Sequence, residues 1–97
     1  MKASMKTDTL TVRTDTVTAE TITYRYTLEY SQSPHAAYRT PLYYIRAERL
    51  DAQGNCMQDA RTDAIADPGY ALILYEVLRE HRVSPVHLCE VAEDFER

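Results

Sequence analysis

Strict alternation of apolar and polar residues is the clearest pattern in the chain. In residues 22–30 every even-numbered position is apolar or aromatic and every odd-numbered position is polar or charged. The apolar set is Ile22, Tyr24, Tyr26, Leu28 and Tyr30. A period of two predicts a β-strand with one buried face.

Three further stretches carry strand patterns. Threonines alternate with other residues in 8–17 (DTLTVRTDTV), which is typical of a solvated strand. Residues 42–50 place Tyr43, Ile45 and Ala47 on one face, and residues 56–61 predict a short return strand after a turn at Gly54. The connections are too short for parallel crossovers, so the strands form an antiparallel sheet.

The period changes to 3.6 after residue 66. Asp67 is a good helix cap and Pro68 suits the first helical position. The apolar positions that follow at helical spacing are Ala71, Leu74, Tyr75 and Leu78. Leu72 and Ile73 widen this arc, which predicts a helix buried on more than one side.

A second helix is predicted near the end of the chain. Ser84 is expected to cap it and Pro85 to take its first position. Leu88, Val91, Ala92 and Phe95 follow at spacings of three and four residues. The opposite side of this helix is acidic.

The patterns together predict one α+β domain over residues 1–97, with residues 1–8 frayed at the start. Its architecture is an antiparallel sheet of three or four strands, followed by two C-terminal helices packed on one sheet face. The predicted core is Ile22, Tyr24, Tyr26, Leu28, Ile45, Leu74, Leu78, Leu88, Val91 and Phe95.

Composition and charge narrow the functional classes. A net charge of −4 makes nucleic acid a disfavoured partner, because phosphate binding relies on excess Lys and Arg. No apolar run is long enough to span a bilayer, and the start of the chain has no apolar signal-peptide region. Cys56 and Cys89 are expected to be reduced thiols, which favours a cytoplasmic location.

The stretch VSPVHLCEVAEDFER gathers a histidine, a cysteine and four acids near the C-terminus. His87 and Cys89 are two residues apart, which is about 200° around a helix, so they cannot share one metal or form a reactive pair. Residues that meet on a helix are three or four apart, so His87 can meet Glu90 or Val91, and Cys89 can meet Glu93. We therefore predict a structural amphipathic helix with no catalytic residue, no cofactor and no metal site.

Acids crowd the last turn of this helix, where the carbonyls already carry partial negative charge. Glu93, Asp94 and Glu96 each cost roughly 0.3–1 kcal/mol there unless a cation answers them. Candidate cations are Arg46, Arg49, Arg79, Arg82 and Arg97. A partner protein is another source, and a solvated acidic surface is the plainer interpretation.

Other arrangements give no catalytic frame. The chain has no nucleophile elbow, and its two glycines exclude a glycine-rich phosphate loop. Asp59, Asp63 and Asp67 lack the spacing of a calcium loop and are interpreted as turn and cap residues. His81 is expected to be a partly buried structural histidine near a helix end.

The C-terminal third resembles the tail of a family of small uncharacterised bacterial proteins, a domain of unknown function. The resemblance rests on three segments of this sequence. They are Asp59, Thr62 and Asp63; then Pro85, His87 and Leu88; then Val91, Glu93, Asp94 and Phe95. It implies a bacterial cytoplasmic protein and supplies no activity.

We expect a non-enzymatic protein-interaction module that self-associates, since tyrosine and arginine are abundant and favoured at binding hot spots. A tyrosine-bearing strand is expected at a sheet edge open to pairing. The candidate partner-binding residues are Tyr30, Tyr44, Arg46, Arg49, His87, Glu93 and Asp94.

Two alternatives stay open. One is an enzyme or small-ligand binder with a pocket between sheet and helices, formed by Tyr44 with His35, His81 or His87 and nearby arginines. The other is a single-stranded nucleic-acid binder that stacks bases on the tyrosines of residues 22–30.

Overall fold

A computed structural model describes residues 9–31 and 41–95 of the chain. The four strands are β1 (Thr9–Ala19), β2 (Ile22–Ser31), β3 (Leu42–Leu50) and β4 (Cys56–Arg61). All three pairings are antiparallel and the strand order is β1-β2-β3-β4. The predicted sheet is confirmed, with four strands. His35 lies outside the described residues, as do residues 1–8.

Two helices follow the sheet, as predicted: α1 (Pro68–Glu80) and α2 (Leu88–Phe95). Asp67 caps α1 by accepting the amides of Gly69 and Tyr70. The second helix enters through a 3-10 turn, Pro85–His87. Ser84 is the N-cap residue of this turn and Pro85 begins it, as predicted. The Ser84 side chain makes no capping hydrogen bond, and it is the Ser84 carbonyl that accepts the His87 amide, at 3.0 Å.

The core lies between the helices and one face of the sheet. Its fully or nearly fully buried residues are Tyr26, Leu28, Ile45, Ala47, Ala71, Leu74, Tyr75, Leu78 and Leu88. Tyr24, Val91 and Phe95 pack against it at partial burial, as predicted members. Ile22 was expected in the core but is 38% exposed, because it stands at the hairpin end of β2.

The outer side of α1 is open to solvent. Leu72 is 46% and Ile73 56% exposed, so the prediction that this helix is buried on more than one side is wrong. The described residues form two layers, and α1 meets the sheet through one stripe. His81 is also exposed, at the C-cap of α1, which contradicts its expected partial burial.

Thr62 extends the pairing of β3 beyond the end of β4. Its amide donates to the Ile45 carbonyl at 2.9 Å, and its hydroxyl accepts the Ile45 amide at 3.1 Å. The side chain thus replaces a backbone acceptor, which explains why this threonine is buried. A bridge between Tyr43 and Ile65 follows, and it leads the chain to α1.

The end of α1 is a Schellman motif built on an arginine. Arg82 has φ 51, its amide donates to the Arg79 carbonyl, and the Val83 amide donates to the Leu78 carbonyl at 3.0 Å. The Tyr26 hydroxyl donates to the Val83 carbonyl at 2.8 Å, which ties this corner to the sheet. Glycine is the usual residue at a position with positive φ.

Replacing Arg82 by glycine is expected to raise the free energy of unfolding by about 0.5–1 kcal/mol. The left-handed conformation costs a residue with a side chain roughly 1–2 kcal/mol, and the greater freedom of glycine in the unfolded chain offsets part of that gain. Urea unfolding followed by circular dichroism measures the change. Arg82→Ala is the control and gains nothing; an equal gain for alanine would exclude backbone strain as the cause.

Candidate protein-interaction surfaces

No helix of residues 9–31 and 41–95 packs on one of the two faces of the sheet, and we call that face the open face. Strand register and side-chain alternation show which residues lie on it. They include Thr14, Thr16, Thr18, Thr23, Arg25, Thr27, Glu29, Tyr44, Arg46, Glu48, Asp59 and Arg61. Three arginines and three carboxylates balance, so this face has no net charge.

The strongest contact of the open face joins its two central strands. Arg25 of β2 donates Nε to Glu48 Oε1 at 2.8 Å and Nη2 to Oε2 at 3.0 Å. The Glu48 side chain is only 9% exposed, although neither of the described helices covers it. Hydrogen bonding from Arg25 lowers the pKa of Glu48 despite the opposing effect of burial.

The other two arginines stand directly opposite each other on β3 and β4, and each is compensated by an acid. Arg46 donates to Asp59 at 2.9 Å. Arg61 lies 4.5 Å from the centre of the Tyr44 ring and 3.7 Å from Glu29. Asp59 is therefore a strand residue in an ion pair, and its interpretation as a turn residue is wrong.

Side chains on the helix-bearing face of β1 form ion pairs with α1. Arg13 donates Nε to Asp15 at 2.9 Å and Nη1 to Glu76 at 2.6 Å, and Glu76 also accepts from Arg79. The buried Tyr75 hydroxyl lies 2.8 Å from Asp15 Oδ2. Burial and the neighbouring Asp15 carboxylate raise the pKa of Tyr75, so this hydroxyl stays a donor.

The outer edge of β1 has no partner strand among the described residues. Ala19 and Ile22 close a two-residue turn, and the closing pair of such a turn is hydrogen-bonded. Because hydrogen-bonded pairs alternate with non-hydrogen-bonded ones, Thr14, Thr16 and Thr18 direct their N–H and C=O groups away from β2. We call these outward backbone groups the β1 edge.

Independent geometry supports this assignment. Thr18 pairs with Thr23, and their hydroxyl oxygens are 3.1 Å apart. Side chains approach closely in non-hydrogen-bonded pairs, which is the class that the alternation gives to Thr18. Leu10 is 58% and Val12 54% exposed at the start of the same strand, next to a register shift between Thr11 and Arg13.

The opposite edge of the sheet is better protected. β4 has six residues, and the 3-10 turn and α2 pack beside it. Cys89 Sγ lies 4.0 Å from the Arg61 carbonyl at the end of this strand. Short strands and covering elements are two usual ways to guard a sheet edge.

A cleft of about 110 Å³ lies between α1, α2 and the chain that follows β4. Its lining includes Asp63, Tyr70, Cys89 and Glu93. Small-molecule sites commonly measure several hundred Å³, so this cleft holds at most a very small group. Tyr44, His81 and His87, proposed above for a pocket, do not line it.

The C-terminal stretch separates its reactive groups. His87 Nδ1 lies 3.3 Å from Glu90, which is one of the two neighbours that the spacing allows. Cys89 Sγ lies 4.0 Å from the Arg61 carbonyl, and Cys89 and Glu93 both line the cleft described above. In residues 9–31 and 41–95 no three His, Cys, Asp or Glu side chains are placed to hold a metal ion. Cys56 and Cys89 are both free and exposed.

A cation near the terminal acids, which was one of the alternatives above, is not found in the part of the chain that the structure describes. Glu93 and Asp94 are exposed, and no described arginine lies within 4.0 Å of either carboxylate. Arg46 and Arg79 bind other acids. Glu96 and Arg97 lie outside the described residues.

The structure divides the candidate partner-binding residues among three regions. Tyr44 and Arg46 share the open face, whereas Tyr30 and Arg49 project from the helix-bearing face. The remaining three, His87, Glu93 and Asp94, belong to the C-terminal turn and helix. The expected tyrosine-bearing edge is wrong, because β2 and β3 are the central strands.

Sequence reasoning missed the β1 edge as the candidate surface. The repeated Thr-x-Thr-x-Thr spacing of residues 14–18 was visible as a strand pattern. Alternation does not reveal which strand lies at an edge, because strand order is a property of the assembled sheet.

The fold and these surfaces define a class: a two-layer α+β protein with a four-stranded antiparallel meander, helices on one face and the other face open. The chain belongs to a family of unknown function, DUF6514, whose model matches residues 5–97. The predicted membership of a family of unknown function is thus confirmed, and the match covers nearly the whole chain. No curated protein and no solved structure matches it. Neither described helix has the length and apolar character needed to cross a membrane.

Proposed function

We propose that this chain is a non-enzymatic protein-interaction module that adds an extended protein segment to the β1 edge. The observation that carries the proposal is an eleven-residue edge strand whose outward groups at Thr14, Thr16 and Thr18 have no strand partner among the described residues. Strand addition uses such groups for affinity and the flanking side chains for specificity.

The strand is held firmly enough to serve as a template. Arg13 and Asp15 fix its inner face to α1 through Glu76 and Tyr75, so binding a segment needs no reordering of β1. Each backbone hydrogen bond contributes a net of roughly 0.5–1.5 kcal/mol, and several of them together support specific binding.

The proposal also includes the cellular compartment, which is the cytoplasm. Two exposed thiols, Cys56 and Cys89, remain unpaired. Exposed thiols persist in reducing compartments, which supports a cytoplasmic location.

An NMR titration tests strand addition. The protein, labelled with ¹⁵N, is mixed with a large excess of a synthetic peptide that has the sequence of residues 9–19, TLTVRTDTVTA. We expect amide shifts and slowed hydrogen exchange centred on Thr14, Thr16 and Thr18. The control peptide has proline in place of the threonines that match Thr14 and Thr16, and it is expected to cause neither effect.

Two results would contradict the proposal. One is an unchanged spectrum in a protein that sediments as a monomer. The other is a set of shifts centred on the open face or on His87, Glu93 and Asp94, which would move the binding surface away from β1.

A further inference from the structure

We propose that the segment bound at the β1 edge is the β1 strand of a second copy of this chain, paired antiparallel about Thr16. This inference rests on the strand addition proposed above and names its partner. In this arrangement Thr16 faces Thr16 of the second copy, and Thr14 faces Thr18.

The register follows from which backbone groups point outward. The three outward residues repeat every second position, so a two-fold axis at Thr16 matches outward residues with outward residues only. The paired stretch runs from Arg13 to Ala19. It ends at the register shift on one side and at the hairpin turn on the other, so neither irregularity enters the ladder.

Neighbouring registers are less favourable. An axis at Asp15 places that carboxylate directly opposite its own copy, and like charges in opposed positions destabilise a strand pair. An axis at Thr14 runs the ladder into the register shift between Thr11 and Arg13. The axis at Thr16 produces three Thr–Thr pairs on the open face, which are favourable cross-strand pairs.

The features that protect the two sheet edges from pairing are unevenly distributed, and this also favours a second copy as the partner. Soluble proteins blunt a free edge with proline, charges, bulges or covering elements. Here the bulge protects only the first part of β1, and α2 protects β4. Between Thr14 and Thr18 the open-face side chains are all threonines, and the inward Asp15 is engaged by Arg13 and Tyr75.

A two-fold axis perpendicular to the sheet keeps both sets of helices on the same side. The product is a continuous sheet of eight strands with one long open face. The Arg25–Glu48 pairs of the two copies then lie on the same surface, on either side of the new junction.

Sedimentation equilibrium of the full chain tests the dimer. The wild type is expected to form a dimer, and Thr16→Pro to weaken it about tenfold or more, because proline removes the Thr16 amide donor in both copies. Proline is tolerated where an edge N–H faces solvent, so the fold is expected to persist in circular dichroism. Thr16→Ala keeps the amide and is the matched control, with no more than a small change.

Cysteine cross-linking tests the register without proline. In a Cys56→Ser, Cys89→Ser background, Thr16→Cys is expected to form a disulfide-linked dimer on mild oxidation. A hydrogen-bonded antiparallel pair has its Cα atoms about 5.5 Å apart, within the range of a disulfide. Thr14→Cys is the control, since its copies are displaced by four residues, roughly 13 Å.

The outcomes separate this inference from the proposed function. Cross-linking through Thr14→Cys alone overturns the register. A wild-type monomer that still binds the peptide at Thr14, Thr16 and Thr18 overturns the second copy as partner and leaves strand addition standing. A wild-type monomer that binds no peptide overturns both.

Discussion

Replacing Leu74 by alanine is expected to lower the free energy of unfolding by about 2–5 kcal/mol, the usual cost of truncating a buried leucine. Leu74 is 1% exposed and packs between α1 and the sheet. The loss has two parts: less apolar surface is removed from water, and a cavity remains in a core of few residues. Urea unfolding followed by circular dichroism measures it.

Leu72→Ala provides the matched control on the same helix. Leu72 is 46% exposed, so its truncation is expected to change stability by less than about 0.5 kcal/mol. Equal losses at Leu72 and Leu74 would mean that another element covers the outer side of α1. The two-layer description of the domain would then be incorrect.

Leu72 and Leu74 show that a helical sequence pattern does not predict which apolar side of a helix is buried. The spacing of Ala71, Leu74 and Leu78 identifies the stripe that meets the sheet. Leu72 and Ile73 are also apolar, but they project from a different side of the helix than Ala71, Leu74 and Leu78. Another layer outside α1 would bury that side of the helix, and helical periodicity does not show how many layers a domain has.

In the sheet, alternation predicts the face on which each residue lies but not the order of the strands. Alternation correctly assigned Tyr26 and Leu28 to the buried side of β2, because pleating fixes the side of each residue. It did not place β2 in the middle of the sheet, nor β1 at the edge. The β1 edge is therefore invisible to a pattern that describes one strand at a time, although its threonines are plain in the sequence.

The burial of a charged residue cannot be predicted from alternation, for a different reason. Alternation places Glu48 on the polar side of β3, which predicts an exposed carboxylate. Its burial comes from Arg25, which stands directly opposite on β2 and lies across it. Long side chains cover their neighbours only once strands are paired in register, so this contact requires the assembled sheet.

Replacing Glu48 by glutamine is expected to lower the free energy of unfolding at neutral pH by about 1–3 kcal/mol. The change removes two charge-assisted hydrogen bonds to Arg25 and leaves a nearly buried amide facing a guanidinium. The cost stays below that of a fully buried pair, because the Arg25 side chain is 38% exposed and water can solvate it.

Asp59→Asn is the matched control on the open face. Asp59 pairs with Arg46, and their side chains are 48% and 41% exposed. An exposed ion pair contributes a median of roughly 0–1 kcal/mol, so this substitution is expected to cost clearly less than Glu48→Gln. Equal costs would contradict the assignment of the Arg25–Glu48 contact as the main polar bond between the central strands.

The pH dependence of stability shows whether Glu48→Gln acts by removing the ion pair or only by disturbing the side-chain packing. Because the folded pKa of Glu48 lies below its ordinary value of 4.5, the pair stabilises the fold fully above that value. The stabilisation is lost as pH falls through the lower folded pKa. The stability difference between wild type and Glu48→Gln is therefore expected to be largest at neutral pH and to shrink as the solution becomes acidic. Unfolding by urea at several pH values measures this difference, and a difference that stays constant down to pH about 3 would exclude the charge of Glu48 as its source.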